Sequence, residues 1–121
     1  MPDIRLAPVE ARFADLIWKN EPIASGELAK LAAAELSWKR TTSYTILKRL
    51  VEKGLFRNEG GTVRSCLSRE EYESAQSERF IEESFSGSLP AFLAAFSRTR
   101  RLNEAEIAEM ERLIESMRKE S

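Results

Sequence analysis

The residues best suited to chemistry in this sequence are basic and hydroxyl side chains gathered between positions 39 and 64. Seven residues of this stretch are Lys or Arg, and only Glu52 and Glu59 are acidic. Lys and Arg bind phosphate groups, whereas hydroxyl side chains can approach the edges of bases. The stretch is therefore typical of a surface that contacts nucleic acid. By charge alone, an ordinary solvated mixture of side chains would look the same.

Helical spacing separates these polar side chains from apolar ones. If Ile46, Leu47 and Leu50 face the interior of the protein, the opposite face of their helix is polar and basic. The outward residues are Thr41, Thr42, Thr45, Lys48, Arg49 and Glu52, with Tyr44 at the margin. Such a face is expected of a helix that reads the major groove. The alternative is that the threonines only initiate the helix and the bases are solvated.

Two further arginines, Arg57 and Arg64, flank the glycine pair at 60 and 61. In a winged helix, the hairpin beside the recognition helix meets the DNA backbone or the minor groove, which favours the nucleic-acid interpretation. The predicted DNA-contacting residues are Lys39, Arg40, Thr41, Thr42, Tyr44, Thr45, Lys48, Arg49, Arg57 and Arg64.

The composition argues against enzymatic and metal chemistry. The 121 residues contain no histidine and one cysteine, Cys66, so neither a Ser-His-Asp triad nor a Cys/His zinc set can form. Scattered acids and serines form no catalytic constellation, and no cofactor is predicted. Cys66 is interpreted as a small buried apolar residue. Without a long apolar run or a signal-peptide pattern, the chain is predicted to be cytoplasmic, with no membrane partner.

The net charge of -1 conceals two different parts of the chain. Residues 1–66 hold eleven Lys and Arg against eight Asp and Glu, whereas residues 67–121 hold eight against twelve. The first part thus carries a net charge of +3 and the second -4. The basic first part could bind DNA, and the acidic second part is expected to have a different function.

Periodicity predicts three helices and a hairpin in the first part: helices at about 8–19, 25–35 and 40–53, the second capped by Ser25. The paired glycines then join two short strands, because they supply the positive φ that tight hairpin turns demand. Three helices followed by a hairpin is the order of a winged helix-turn-helix domain, assigned to residues 1–67.

Three more helices follow. Ser68 with Glu71, and Asn103 with Glu106, each match a capping box, and Pro90 suits the first turn of the helix between them. The fold class is thus mainly α with a small β-hairpin wing, and residues 68–121 form a helical region.

That helical region is predicted to be a dimerisation domain, because three short helices cannot hide their apolar stripes among themselves. A homodimer would also present two recognition helices to the two half-sites of an operator. In the alternative, the helices, above all the first of them, fold back on the winged helix of the same chain. The predicted dimer residues are Phe80, Phe85, Leu89, Phe92, Leu93, Phe96, Ile107, Met110, Leu113, Ile114 and Met117.

Several segments resemble the penicillinase repressor family of winged-helix regulators. The matching segments are EARFADLIW at 10–18, Trp38, TSYTILKRLVEKGL at 42–55, SREEY at 68–72, FSGSL at 85–89 and LNEAEI at 102–107. The resemblance covers nearly the whole chain. It implies a repressor that binds a palindromic operator in double-stranded DNA, with C-terminal helices that make an intertwined homodimer.

Three departures from the family pattern matter. Lys39 and Arg40 stand where Ser-Pro is common after the tryptophan, so the operator sequence is expected to differ. Antibiotic-sensing members are cleaved by a sensor-protease at an Asn-Phe bond, and the matching position here is Ala95-Phe96. Packing alone explains Phe96, so cleavage there is a secondary hypothesis. The cysteine-rich tail of copper-responsive relatives is absent, which argues against metal sensing.

A competing interpretation is a winged helix that binds another protein and does not read DNA. A neutral or apolar outer face on the third helix would favour this function. The basic, hydroxylated face favours DNA.

Overall fold

The computed structural model describes residues 5–120, and the chain divides into two compact units between Glu78 and Arg79. The helices and strands follow in the order α1 (Pro8–Asn20), β1 (Ile23–Ala24), α2 (Ser25–Leu36), α3 (Arg40–Glu52), β2 (Phe56–Glu59), β3 (Thr62–Ser65), α4 (Arg69–Phe85), α5 (Leu89–Thr99) and α6 (Glu104–Glu120). This is the predicted fold class: mainly helical, with a small antiparallel sheet.

The first unit has one apolar core built by α1, α2, α3 and the sheet. Each helix contributes side chains three or four positions apart, which lie on one helical face. The core residues are Phe13, Ala14, Leu16, Ile17, Leu28, Ala32, Ile46, Leu47, Leu50, Leu55, Phe56 and Val63. Trp38 stacks on Phe13 with 5.1 Å between ring centroids. Because Ile46, Leu47 and Leu50 are held in this core, α3 presents its opposite face to solvent.

The hairpin is confirmed and carries a third strand. Gly60 and Gly61 form its turn with φ of 59° and 89°, the left-handed region that two-residue hairpin turns require. Strand order is β1-β3-β2, antiparallel throughout, with Ile23 opposite Val63 and Phe56 opposite Ser65. With only two residues, β1 carries no alternating pattern, and sequence analysis therefore missed it.

The predicted cap of α2 was wrong. Ala24 occupies the N-cap position and makes no side-chain cap, and Ser25 is the first helical residue. The chain enters α2 directly from β1, and the backbone N–H of Ser25 donates to the Gly61 carbonyl at 2.8 Å. Strand pairing therefore determines where this helix begins.

The starts of α4 and α6 follow the predicted capping boxes. Ser68 and Glu71 exchange hydrogen bonds of 3.0 Å, and Asn103 and Glu106 form the same reciprocal pair. The Ser88 hydroxyl accepts from the backbone N–H of Ala91 at the start of α5. These local bonds satisfy N–H groups that a helix leaves open at its first turn.

The start of α4 is anchored to the first unit. Tyr72 and Ala75 pack against its core, and the Trp18 indole Nε1 donates to the Leu67 carbonyl at 3.0 Å. The compact units consequently divide within α4, beyond residue 68. The functional division into a DNA-binding part at 1–67 and a dimerisation part at 68–121 stays a prediction.

The second unit comprises the end of α4 with α5 and α6. Among its described residues, 79–120, no side chain is buried. Four aromatic rings nevertheless cluster: Phe80, Phe85 and Phe92 contact one another with centroids 5.4–5.9 Å apart, and Phe96 lies 6.0 Å from Phe92. This unit has aromatic contacts but lacks a solvent-excluded core.

Candidate nucleic-acid interface

Helix α3 is divided lengthwise into a buried and an exposed face. Ser43, Ile46, Leu47 and Leu50 are buried. Thr41, Tyr44, Thr45, Lys48, Arg49 and Glu52 are exposed, and Thr42 is half-buried at the flank. Tyr44 has an exposed fraction of 37%, enough to present its phenol ring to a partner. The predicted outward set thus forms one continuous surface along the helix.

Thr45 lies near the middle of this surface. Its hydroxyl donates to the Thr41 carbonyl one turn earlier, at 2.9 Å. The hydroxyl hydrogen is therefore used within the helix. What Thr45 can offer a base is its oxygen as an acceptor and its methyl group, which suits the methyl of thymine.

Arg40 and Tyr44 form a pair at the amino end of α3. The Arg40 guanidinium donates to the Tyr44 hydroxyl at 3.2 Å and lies over the ring, 5.4 Å from its centroid. A Cβ placed on Gly26 would lie 3.8 Å from Arg40 Nη2, so the guanidinium reaches the first turn of α2. Arg40 is thus exposed and paired with Tyr44 on the same helix, whereas Lys39, at the N-cap of α3, is exposed and makes no side-chain cap.

The wing places its charged residues on one face. Phe56 and Val63 are buried, and the alternation of a strand turns Arg57, Glu59, Thr62 and Arg64 to the other side. Arg57 and Arg64 are direct cross-strand partners. Arg57 Nε also lies 2.8 Å from a Glu59 carboxylate oxygen. The predicted arginines of the wing are thus side by side, with an acid that sequence analysis left unassigned.

A groove of about 370 Å³ separates α3 from the wing. Leu47 and Val51 contribute apolar surface, and the polar lining comes from Tyr44, Lys48, Glu52 and Asn58. Asn58 was missed as a candidate, although strand alternation from Phe56 indicates that it faces the helix. The groove places part of the exposed face of α3 beside Asn58 of the wing.

Lys53, one of the seven basic residues between positions 39 and 64, is engaged within the fold. Its ammonium lies 2.8 Å from the Glu10 carboxylate and also donates to the Arg5 carbonyl. The hydrogen bond from Lys53, together with one from the backbone N–H of Ala7, holds the pKa of the Glu10 carboxyl below its ordinary value of about 4.5. This charge stabilises the fold and is not available to a phosphate.

Three further expectations concern Cys66, metal binding and membranes. Cys66 is exposed, so its interpretation as a buried apolar residue was wrong. Its backbone N–H donates to the Leu55 carbonyl at 2.8 Å, directly after the end of β3. Within residues 5–120 no group of three potential metal-ligating side chains comes together. No helix in that range combines the length and the apolar character needed to cross a membrane.

The predicted dimer residues lie in the second unit, where they are exposed or half-buried. Phe80, Leu89, Leu113, Ile114 and Met117 have exposed fractions between 50% and 62%. Phe85, Phe92, Leu93, Phe96, Ile107 and Met110 are half-buried. Ala95 and Phe96 lie inside α5, and the guanidinium of Arg100 lies 5.8 Å from the Phe96 ring centroid.

Comparison with known proteins agrees with this architecture. The profile of the penicillinase repressor family matches residues 6–116. A penicillinase repressor from Bacillus licheniformis is 25% identical over 115 residues, which span 92% of this chain and 90% of that relative. The match includes the three helices, the wing and the C-terminal helices up to residue 116. The chain therefore belongs to the penicillinase repressor family, a family of regulators.

Proposed function

We propose that this protein represses transcription by binding, as a homodimer, to a two-fold symmetric operator in double-stranded DNA. Helix α3 would enter the major groove, and the wing would contact the backbone. The observation that carries the proposal is the continuous exposed surface of hydroxyl and basic side chains on α3, part of which borders a groove shared with the wing. Membership of a repressor family supports the same function.

Base reading and phosphate binding are assigned to different parts of the interface. Thr41, Thr42 and Thr45 lie in the first half of α3, the end that enters the groove in helix-turn-helix proteins. Their small side chains suit contacts with base edges. Lys48, Arg49, Arg57 and Arg64 suit contacts with DNA phosphates. Lys39 and Arg40, at the start of α3, would also lie near the DNA backbone.

The homodimer is supported by the second unit. Because no side chain in residues 79–120 is buried, a unit of this size lacks the core that an independent fold needs. A second copy with the same exposed apolar side chains would cover them, as symmetric interfaces do. The acidic charge of this part of the chain disfavours DNA as the covering partner.

Induction by a sensor-protease at Ala95-Phe96 stays a prediction of the family resemblance. Both residues lie within α5, where backbone hydrogen bonds hold the chain helical. A protease that needs an extended substrate would have to act on a locally unfolded state. The presence of Phe96 is explained by its contact with Phe92.

The alternative function, protein binding without DNA readout, is disfavoured by the chemistry of α3. A protein-binding surface is depleted in charge at its centre, whereas Lys48 lies at the centre of this face. The groove beside it is also lined partly by charged side chains.

The proposed function is tested by selecting DNA from a random pool with the purified protein and then titrating salt. We expect enrichment of a two-fold symmetric sequence. The logarithm of its affinity should fall linearly with the logarithm of salt concentration, with a slope of about -0.9 for each phosphate contacted. No enrichment, or an affinity that does not change with salt, would overturn the proposal.

A further inference from the structure

The outer face of the wing contains two arginines and one acid in a small area. Arg57 and Arg64 are opposite each other in the β2–β3 register, and Glu59 is opposite Thr62. Like charges directly across a strand pair destabilise it. The Glu59 carboxylate, 2.8 Å from Arg57 Nε, offsets that repulsion in the free protein.

The ion pair between Arg57 and Glu59 is open to solvent. The side chains of Arg57 and Glu59 have exposed fractions of 56% and 63%. Ion pairs with such exposure contribute little, because water and salt compete for both charges. A DNA phosphate, which takes part in bidentate contacts with a guanidinium, can therefore displace the carboxylate from Arg57.

We propose that Glu59 competes with DNA phosphate for Arg57 and thereby lowers the sequence-independent part of DNA affinity. The inference rests on the proposed function and concerns the outer face of the wing. Glu59 also directly precedes the Gly60–Gly61 turn, so its negative charge lies at the tip of the wing. Because phosphates are the same in every sequence, Glu59 should weaken all DNA equally and leave base preference to α3.

The test compares Glu59→Gln with Glu115→Gln, each measured against the wild type. Glu115 is also exposed and ion-paired, with Arg118 at 3.5 Å, but it lies on α6. Binding to a mixed-sequence duplex of about 30 base pairs, long enough for two half-sites, is followed by fluorescence anisotropy between about 50 and 200 mM salt.

We expect Glu59→Gln to bind about three- to tenfold more tightly at the low-salt end, with a steeper salt dependence because one acidic charge near the phosphates is removed. The gain should be the same for the duplex selected from the random pool. Glu115→Gln should match the wild type. If the wild type binds DNA and Glu59→Gln binds with the same affinity and slope, or more weakly, the inference is wrong. If the wild type binds no DNA, the proposed function itself fails.

A double variant separates competition for Arg57 from simple repulsion of DNA by Glu59. In an Arg57→Ala background, Glu59→Gln should lose most of its gain, because the arginine that it releases is absent. A gain of undiminished size in that background would overturn the competition and leave Glu59 as a repelling charge only. Thermal unfolding of each variant confirms that the wing is folded in the comparison.

Discussion

At the scale of single residues, the two polar side chains buried in the first unit, Glu10 and Ser43, differ in how their hydrogen bonds are satisfied. The Glu10 carboxylate accepts from Lys53 and from the backbone of Ala7, each at 2.8 Å. The Ser43 hydroxyl has no hydrogen-bond partner among residues 5–120. A buried hydroxyl without a partner costs free energy, so the two residues have opposite effects on stability.

We predict that Ser43→Ala stabilises the protein by about 1 kcal/mol, because it removes an unsatisfied polar group and adds a better helix former. Thermal unfolding should show a rise in Tm of several degrees. Ser77→Ala, an exposed change on α4, controls for helix propensity and should give a smaller gain. A loss of stability in Ser43→Ala would mean that the hydroxyl has a partner in solution.

Glu10→Gln should destabilise the protein at neutral pH by about 1–3 kcal/mol, because it leaves the Lys53 ammonium without its carboxylate. The folded pKa of Glu10 is lowered, so the pair contributes fully above pH 4.5 and is lost as pH falls through that lowered pKa. The difference between wild type and variant should therefore shrink below pH 4.5. Denaturant unfolding over a pH series measures it.

Glu35→Gln, on the exposed side of α2, is the control for this change. It should alter the free energy of unfolding by less than about 0.5 kcal/mol at every pH. A Glu10→Gln variant as stable as the control at neutral pH would contradict the structural role of the Glu10–Lys53 pair.

At the scale of elements, α3 and the wing border one groove, but α3 is expected to recognise bases and the wing to contact phosphates. Substitutions of Thr45 remove either of two groups: Thr45→Val keeps a methyl and loses the hydroxyl, and Thr45→Ser does the reverse. We predict that these variants change preference among single-base variants of the selected site by about 1–3 kcal/mol at one position. Competition binding with a panel of duplexes measures the change.

Arg64→Ala should instead weaken every duplex of that panel by the same factor, with a salt slope shallower by about 0.9 per protomer. Its control is Arg118→Ala, another exposed arginine, which lies on α6. Should Thr45→Val and Arg64→Ala act alike on every sequence, the assignment of base reading to α3 would be wrong.

At the scale of the whole molecule, the proposed symmetry of the operator would depend on the proposed dimerisation through the second unit. Leu113 is exposed by 57% in the chain and belongs to the predicted apolar stripe of α6. We predict that Leu113→Glu dissociates the dimer, because an unpaired carboxylate buried at the contact costs several kcal/mol. Sedimentation velocity should give a dimer for the wild type and a monomer for the variant at micromolar concentration.

Arg112→Glu places the same side chain one position away, off the stripe, and should stay dimeric. The Leu113→Glu monomer keeps α3 intact and should bind a half-site weakly. It lacks the increase in affinity that comes from linking two DNA-binding domains. A monomeric wild type, or a dimeric Leu113→Glu, would refute the dimerisation role of residues 68–121.

Features that depend on neighbouring residues could be predicted from the sequence. The six helices and the hairpin follow from apolar spacing, the Gly60–Gly61 pair and two capping boxes, whose partners are three residues apart. The exposed face of α3 was also predictable, because Ile46, Leu47 and Leu50 determine which side is buried. These signals are local, so the sequence by itself determined the six helices, the hairpin and the outline of the candidate site.

Features that depend on distant residues were decided only by the tertiary structure. Lys53 belongs to the fold because Glu10, 43 positions away, meets it across α1 and α3. The two-residue strand β1 exists because β3 is beside it, and its pairing moves the start of α2 away from the Ser25 cap. Cys66, directly after β3, is exposed. Each outcome depends on which elements pack together, and a pattern read along the chain carries no information about that packing.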